Sequence, residues 1–375
     1  MMTKSATILE IGSSKLKAMV VCPGVNDTFI VKNSAEVEYE GYFQGEFVDL
    51  KNFKDSLKKL FNSIDYRRRR YHKKIYVGLP AEFLSVSTAQ ASTNFRHPRK
   101  IKQFDIDNLF ASACEKINTS ESEVVSVSPI SYMLDDDGIV IADPIGKKAI
   151  SLSADISIVL AKKEHIELFN SIFFEMEFER IEYISETLAQ AQFVIPKEER
   201  EELCMLIDCG HLTTSVSFVQ GDGILDTKTF SVGGGHISGD LSEIFELTYK
   251  DAERFKNQIV LSLQGGFKDK YEFVTESGYV EKISLNEANN AVAYRIEEIG
   301  KILEQSINEI PTSIAPYMPI YVVGSGLISI KGGKNFLAKY LGKNIIEGLV
   351  PVPGKDKSEF TAIFSIAEYA LKKCK

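Results

Sequence analysis

The chain has 375 residues, 44% of them hydrophobic and 26% charged, with a formal net charge of −8. That length exceeds one ordinary core and suits two domains of a globular protein. The negative balance makes the whole-molecule field repulsive to nucleic acid and gives no general attraction to an anionic membrane, although local patches can differ.

The opening MMTKSATILEIG lacks the charged start and long apolar run of a signal peptide, and no stretch approaches the roughly 18 apolar residues of a membrane span. Cys22, Cys114, Cys204, Cys209 and Cys374 form no CxxC and have no histidine at ligand spacing. They read as small apolar residues in a reduced cytosol, and a cytoplasmic location is expected.

Ala6 to Ile11 is β-branched and apolar and runs into Gly12-Ser13-Ser14; Lys15 to Cys22 then turns apolar again. The two predict a hairpin with a polar turn, and a third strand fits Phe29 to Val37. From Leu50 to Ile64 the residues Phe53, Leu57, Leu60, Phe61 and Ile64 share one helical face, which predicts a helix packed on that sheet. Ile75 to Leu79 reads as a short buried strand closed by Pro80. A basic run, Arg67 to Arg70 with Lys73 and Lys74, reads as a solvated helix end. From about Glu82 to Lys162 the pattern turns mixed and polar. It holds a helix over Asp105 to Ile117, an acidic turn at Asp135-Asp136-Asp137-Gly138 and a last strand over Ser153 to Leu160. This predicts a small inserted α+β subdomain, after which a helix around Glu164 to Glu177 returns to the main body.

Leu203 to Ile207 is a second apolar strand, ending at Asp208-Cys209-Gly210, with Thr214 to Val219 as hairpin partner and Gly221-Asp222-Gly223 as the next turn. The opening pattern therefore recurs: apolar strand, carboxylate, one spacer, glycine, polar turn, second strand. Such an internal repeat implies two similar lobes. Ser231 to Gly235 is a glycine-rich loop opening a helix at about Ser238, and Ser284 to Ile310 is a long amphipathic helix. Ile320 to Val323 is a strand before Gly324-Ser325-Gly326. Phe360 to Lys372 closes the chain as a helix whose apolar stripe reads as core of the first lobe.

Glu10-x-Gly12-Ser13-Ser14 and Asp208-x-Gly210 with Thr213-Thr214 each set a carboxylate at the end of a buried strand, ahead of a polar turn. Backbone N–H groups and hydroxyls in such a turn suit phosphate oxygens, and the carboxylate suits water around a magnesium ion. One such turn is an ordinary hairpin; two, in register as duplicates, point to a shared ligand. Gly233-Gly234-Gly235 and Gly324-Ser325-Gly326 are each a plain turn when taken alone. In this order the four elements describe a clamp around one nucleotide.

These residues resemble the FtsA family of bacterial cell-division actins over nearly the whole chain. ATILEIGSSKLKAMV is similar to the family's first phosphate loop. Gly41 to Asp49 matches a G-x-x-x-G-x-(V/I)-x-D segment, and Asp143-Pro144-Ile145-Gly146 resembles the N-P-x-G of the inserted subdomain. LCMLIDCGHLTTSVSF stands at the second phosphate loop, SVGGGHISGDLSEIFELTYKDAERFK at the nucleoside run, Arg295-Ile296-Glu297-Glu298-Ile299 at an R-x-E-E-I helix, and IYVVGSGLISIKGG at the adenosine turn.

The resemblance implies an α/β, actin-like two-lobed ATPase fold, with duplicated ribonuclease H-like domains and an inserted α+β subdomain. The first lobe would hold residues 1–81, 163–200 and 340–375, the insertion 82–162, and the second lobe with its nucleoside-capping part 201–339. It implies ATP and Mg2+ as cofactors. Gly12, Ser13, Ser14, Lys15, Gly210, Thr213 and Thr214 would meet phosphates. Gly234, Gly235, Glu253, Lys256, Gly324, Ser325 and Gly326 would surround the nucleoside, with Glu253 and Lys256 at the ribose. Glu10 and Asp208 would hold magnesium through water, and Asp208 and Thr213 would polarise water for slow hydrolysis at best. It further implies filaments by self-association, and the C-terminal tail of FtsZ bound near Arg295. The location implied is the cytoplasmic face of the inner membrane at the division site.

Four departures stand against that pattern. Glu10 replaces an aspartate, His211 and Leu212 replace two glycines, and Ser215 replaces a carboxylate, which bears on hydrolysis more than on binding. The chain stops at Lys372-Lys373-Cys374-Lys375, where the family continues into a linker and an amphipathic membrane helix, so the usual anchor is not expected here. The rival readings are a nucleotide-free scaffold, an actin-like scaffold of pilus-assembly type and a small-molecule kinase; the last lacks a carboxylate base candidate.

Overall fold

The computed structural model describes residues 5–25, 28–64, 74–135, 138–263, 265–266, 268–309, 316–350 and 358–373. The basic run Arg67 to Arg70 with Lys73, and Asp136 and Asp137 of the acidic turn, lie outside the described residues, as do Ile310 and Cys374. The chain divides into two compact units. One comprises Met1–Cys204, Ser217–Lys228 and Ala362–Lys375, the other Met205–Val216 and Thr229–Thr361.

The first unit holds a sheet in the order Arg180–Ser185, Lys74–Leu79, Ala6–Ile11, Lys15–Pro23, Phe29–Glu38. Ala6–Ile11 is buried at all six positions, as a central strand covered on both faces must be. It runs antiparallel to Lys15–Pro23, with Ile8 opposite Met19, and parallel to Lys74–Leu79, with Leu9 beside Val77. Gly41 and Gly45 of the glycine-spaced segment have φ of +80° and +79°, the left-handed region where a Cβ is costly. The segment's last residue, Asp49, caps the helix Leu50–Ser63 by accepting the N–H groups of Lys51 at 2.7 Å and Asn52 at 3.0 Å. That helix lays Phe53, Leu57, Leu60 and Phe61 into a core continued by Phe169, Phe173 and Phe178. The closing helix Thr361–Lys373 buries Ile363, Phe364, Ile366, Ala367 and Ala370, as its stripe predicts.

Between Lys74–Leu79 and Arg180–Ser185 the chain builds a separate antiparallel sheet in the order Leu84–Lys100, Lys148–Lys162, Ser122–Leu134, Val140–Ile141. Its apolar side chains, among them Leu152, Ile156 and Ile158, form one core with Ile106 and Leu109 of the helix Gln103–Cys114. The last long strand begins at Lys148, five residues before the expected Ser153. Leu84–Lys100 escapes sequence reading because its buried side chains are only Ala89 and Ala91, too small to mark a periodicity. Arg99 ties this strand to the helix through both oxygens of buried Asp105, at 2.9 and 2.5 Å, and so holds the Asp105 carboxyl below its ordinary pKa.

The second five-stranded sheet has the order Gly223–Phe230, Thr214–Gln220, Cys204–Cys209, Ile320–Val323, Ile345–Glu347. Read outward from Cys204–Cys209, this repeats the first sheet. Two parallel strands lie on one side of the central strand, its sequence successor and then a third strand on the other. The repeat read from the sequence is thus a repeat of sheet topology. The second unit continues with helices Gly234–Ile244 and Tyr249–Lys256, a hairpin of Lys270–Val274 and Val280–Ser284, and the helix Leu285–Asn308, capped by Ser284 accepting from the Glu287 N–H at 3.4 Å. The first of these helices starts at Gly234 and not near Ser238, since its opening turn is the glycine run itself, where low propensity hides a helix.

Candidate functional site

In the first unit the strand Ala6–Ile11 ends in a turn closed by the Gly12 N–H donating to the Lys15 carbonyl at 3.0 Å. A Cβ on Gly12 would stand 2.8 Å from that carbonyl oxygen, so the turn requires glycine. Tyr39, just past the strand Phe29–Glu38, pins it: its hydroxyl donates to the Gly12 carbonyl at 2.7 Å and its N–H to the Ser14 carbonyl at 3.1 Å. Ser13 is buried beside them. Lys15 points elsewhere, with Nζ 3.2 Å from Glu36 Oε1 and 3.9 Å from Glu38 Oε1.

The cation at the strand end is instead Lys17. Glu10 and Lys17 are cross-strand partners, and Nζ donates to Glu10 Oε1 at 2.8 Å with the side chains only 13% and 6% exposed. Burial pulls the Lys17 pKa down, but the charge and hydrogen bond of Glu10, helped by Glu186 and Glu36, outweigh it, and the net direction is upward.

In the second unit the turn after Asp208 closes in the same way, the Gly210 N–H donating to the Thr213 carbonyl at 2.9 Å. Three glycine runs meet there. A Cβ on Gly326 would lie 2.1 Å from the Gly210 carbonyl oxygen, one on Gly234 2.5 Å from Gly326 Cα, and one on Gly324 2.4 Å from Asp208 Oδ1. Gly324 has φ +84° and ψ 148°, a region open essentially to glycine alone. The structure therefore brings Asp208, Gly210, Gly234, Gly235, Gly324 and Gly326 together, backbone against backbone. Ser325 opens the short helix Ser325–Ile328, and Thr213 is buried. The Thr214 hydroxyl donates to the Val232 carbonyl at 2.7 Å and so ties the turn to the glycine loop.

Glu253 and Lys256 form one ion pair at 2.8 Å, and Lys256 also donates to the Gly234 carbonyl at 2.9 Å. Lys256 is 2% exposed and Glu253 36%, so only the carboxylate reaches solvent. For Glu253 burial acts upward, yet the Lys256 charge and hydrogen bond, the Ser238 hydroxyl and His211 prevail, and its pKa is lowered. Lys256 is lowered because burial outweighs Glu253. Tyr249 lies 2.8 Å from His211 Nε2, and burial, with the Glu253 charge, pushes its phenol up to about 12. Arg295 makes a two-point pair with Asp240, 2.7 Å at each contact, so its guanidinium is engaged within the unit.

Lys17, Tyr39, Tyr249 and Asp240 are not among the residues singled out from the sequence. Lys17 was findable: a turn from Gly12 to Lys15 sets Ile11 against Leu16, and hence Glu10 against Lys17. Among the described residues no group of three His, Cys, Asp or Glu side chains could hold a metal ion. With Glu10 bound to Lys17, magnesium held directly by protein ligands does not fit these residues.

Residues 83–160 match the SHS2 domain inserted in FTSA. Cell division protein FtsA of Buchnera aphidicola subsp. Baizongia pistaciae is 20% identical over 352 residues, 92% of this chain and 82% of that protein. FtsA of Streptococcus pneumoniae serotype 2 is 25% identical over 307 residues, 80% of this chain and 66% of that protein. In fold the chain is similar to the PilM–PilN type IV pilus biogenesis complex, with a TM-score of 0.63 and 16% identity over 99% of this chain and 98% of that one. It is also similar to MreB 5 of Spiroplasma citri bound to AMPPNP, with a TM-score of 0.59 and 14% identity over 99% and 98%. The duplicated sheet, the inserted domain and these similarities agree: the chain has the actin-like fold and resembles cell division protein FtsA along most of its length.

Proposed function

We propose that the chain is an ATP-binding, actin-like cell-division protein that forms filaments and links the FtsZ ring to the division machinery at the cytoplasmic face of the inner membrane. The observation that carries this reading is the SHS2 match at residues 83–160 within a chain of duplicated sheets, since the phosphate turns alone occur in many actin-like ATPases. The lobes we propose are those expected from the sequence, 1–81 with 163–200 and 340–375, then 201–339, with 82–162 as the insertion; they differ from the two compact units in giving Ser217–Lys228 to the second lobe and residues 340–361 to the first.

Ser13 and Ser14, with Lys17 in the part expected of Lys15, supply donors for phosphate oxygens from the first turn, which Gly12 shapes; Thr213 supplies them from the second, whose geometry Gly210 and Thr214 fix. Glu253, the exposed member of its ion pair, accepts from the ribose, while Lys256 stays internal and holds the helix start. Magnesium, carried in on the nucleotide, would offset phosphate charge. Asp208 orients water near Thr213, and with Glu10 already neutralised any hydrolysis is slow. The FtsZ tail engages the helix Leu285–Asn308 near Arg295, at exposed positions such as Tyr294, because the guanidinium is committed to Asp240.

Calorimetric titration with Mg-ATP on the wild type and on Asp208→Ala tests the nucleotide. Binding that weakens in the variant supports the reading, and absence of nucleotide binding by the wild type, even once the side chains against the glycine loop are trimmed, returns the chain to a scaffold. Titration with an FtsZ tail peptide tests the division role. The pilus-assembly reading is weaker, because it rests on fold similarity at 16% identity, whereas the FtsA reading has sequence similarity over most of the chain; co-purification with a pilus-assembly protein in place of FtsZ would favour it.

A further inference from the structure

We infer that His211 and Tyr249 latch the glycine loop shut, so that nucleotide reaches it only when these two side chains part; this rests on the nucleotide reading above. The loop's first donors are committed inside the unit. The Gly233 N–H donates to His236 Nδ1 at 3.1 Å, the Gly234 N–H to the Gly210 carbonyl at 2.9 Å, and the Gly235 N–H to the His211 carbonyl at 2.6 Å. The face left to a ligand is therefore the Gly235 Cα and carbonyl, and this is where the two side chains lie. The Tyr249 hydroxyl is 2.8 Å from His211 Nε2 and donates to the Gly235 carbonyl at 3.2 Å.

A Cβ built on Gly235 would stand 2.7 Å from His211 Nε2 and 2.8 Å from the Tyr249 oxygen. A space too small for one methyl group admits no ribose hydroxyl, which needs about 2.7–3.2 Å from each partner it bonds. His211 comes from the turn after Asp208 and Tyr249 from the first residue of the helix Tyr249–Lys256, so the pair spans the loop between two separately anchored elements. The two rings meet edge to face, with centroids 6.1 Å apart. His211 stands where the resemblance implies glycine, which makes the latch a property of this chain and not of the phosphate turn in general.

The test is ATP titration on the full chain as wild type, His211→Gly and Tyr249→Phe. His211→Gly removes the ring and the hydrogen bond and is expected to tighten binding by about tenfold, the equivalent of one hydrogen bond broken on entry. Tyr249→Phe keeps both rings and loses only the hydrogen bonds, so a smaller gain is expected. Without nucleotide, hydrogen exchange at the amides of Gly234 and Gly235 should quicken in both variants, a readout that does not depend on affinity. Binding by His211→Gly where the wild type shows none would also support the latch. Equal or weaker binding by His211→Gly would overturn it while leaving the nucleotide reading in place. Failure of all three proteins to bind would remove that reading, and the latch with it.

Discussion

Replacing Lys17 by methionine keeps the side chain's length to within one atom and removes its charge, leaving the Glu10 carboxylate buried beside an apolar group. Both side chains lie well below one-fifth exposure, so solvent does not screen the change. Breaking a buried pair from one side costs about 3–5 kcal/mol, because the remaining charge loses its partner without regaining water. Glu10 limits the damage by taking up a proton, which places the expected loss near the lower figure, about 3 kcal/mol. With a urea dependence of about 2–3 kcal/mol per molar for a body of this size, the midpoint should fall by about 1 M. Adding Glu10→Gln to Lys17→Met should recover part of the loss, since the orphaned charge is gone. The sign of the pH dependence is also fixed. The folded Lys17 value lies above its ordinary 10.5, so the pair contributes fully below 10.5 and its contribution disappears only as pH rises through the folded value. Measured against the Lys17→Met/Glu10→Gln double variant, which has neither titrating group, the contribution of the pair should therefore be constant from pH 6 to 9 and fade only in strong alkali. A midpoint shift under about 0.3 M, or a double variant as costly as the sum of the singles, would refute the ion-pair account.

Gly326→Ala should destabilise the chain by about 2–3 kcal/mol in chemical unfolding, because its Cβ would sit 2.1 Å from a backbone carbonyl that cannot rotate away; a loss below 0.5 kcal/mol, about the noise of surface substitutions, would contradict the packing. Tyr39→Phe should cost about 1–2 kcal/mol by leaving the Gly12 carbonyl without its hydroxyl donor, and should weaken ATP binding by loosening the first turn. Arg295→Ala should cost about 1–2 kcal/mol, and adding Asp240→Ala should then change little, since each is the other's partner. The stability difference between wild type and Glu253→Gln should be present at neutral pH and shrink as pH falls through the lowered Glu253 value, below its ordinary 4.5, which acid-range unfolding curves can follow.

The parts of the fold written as apolar runs were legible. Ala6–Ile11, Leu50–Ser63, Ile320–Val323 and the closing helix stand within a residue or two of where their patterns put them. The insertion was legible as a change of character, yet only one of its three long strands was read. Leu84–Lys100 buries alanines, and Ser122–Leu134 buries Ser126 and Ser128 beside Ile130 and Tyr132, so apolar residues do not mark the buried face of either strand. The glycines that meet after Asp208 stand out in the sequence because spacing alone marks them. Sequence reasoning gave the first turn's cation to Lys15, the nearest lysine, where hairpin register selects Lys17. Tyr249 and His211 lie 38 residues apart, and Arg295 and Asp240 lie 55 apart; no local pattern couples such pairs. Only the packing of the second unit's helices does.

The contact among Gly210, Gly234, Gly324 and Gly326 has a mechanical consequence. Where main chain rests on main chain there is no rotamer to absorb a displacement, and a shift of one segment must be passed on undiminished to the next. The turn after Asp208, the helix beginning at Gly234 and the strand-end at Gly324 accordingly behave as a single rigid joint. A force applied to any one of them is felt by all three.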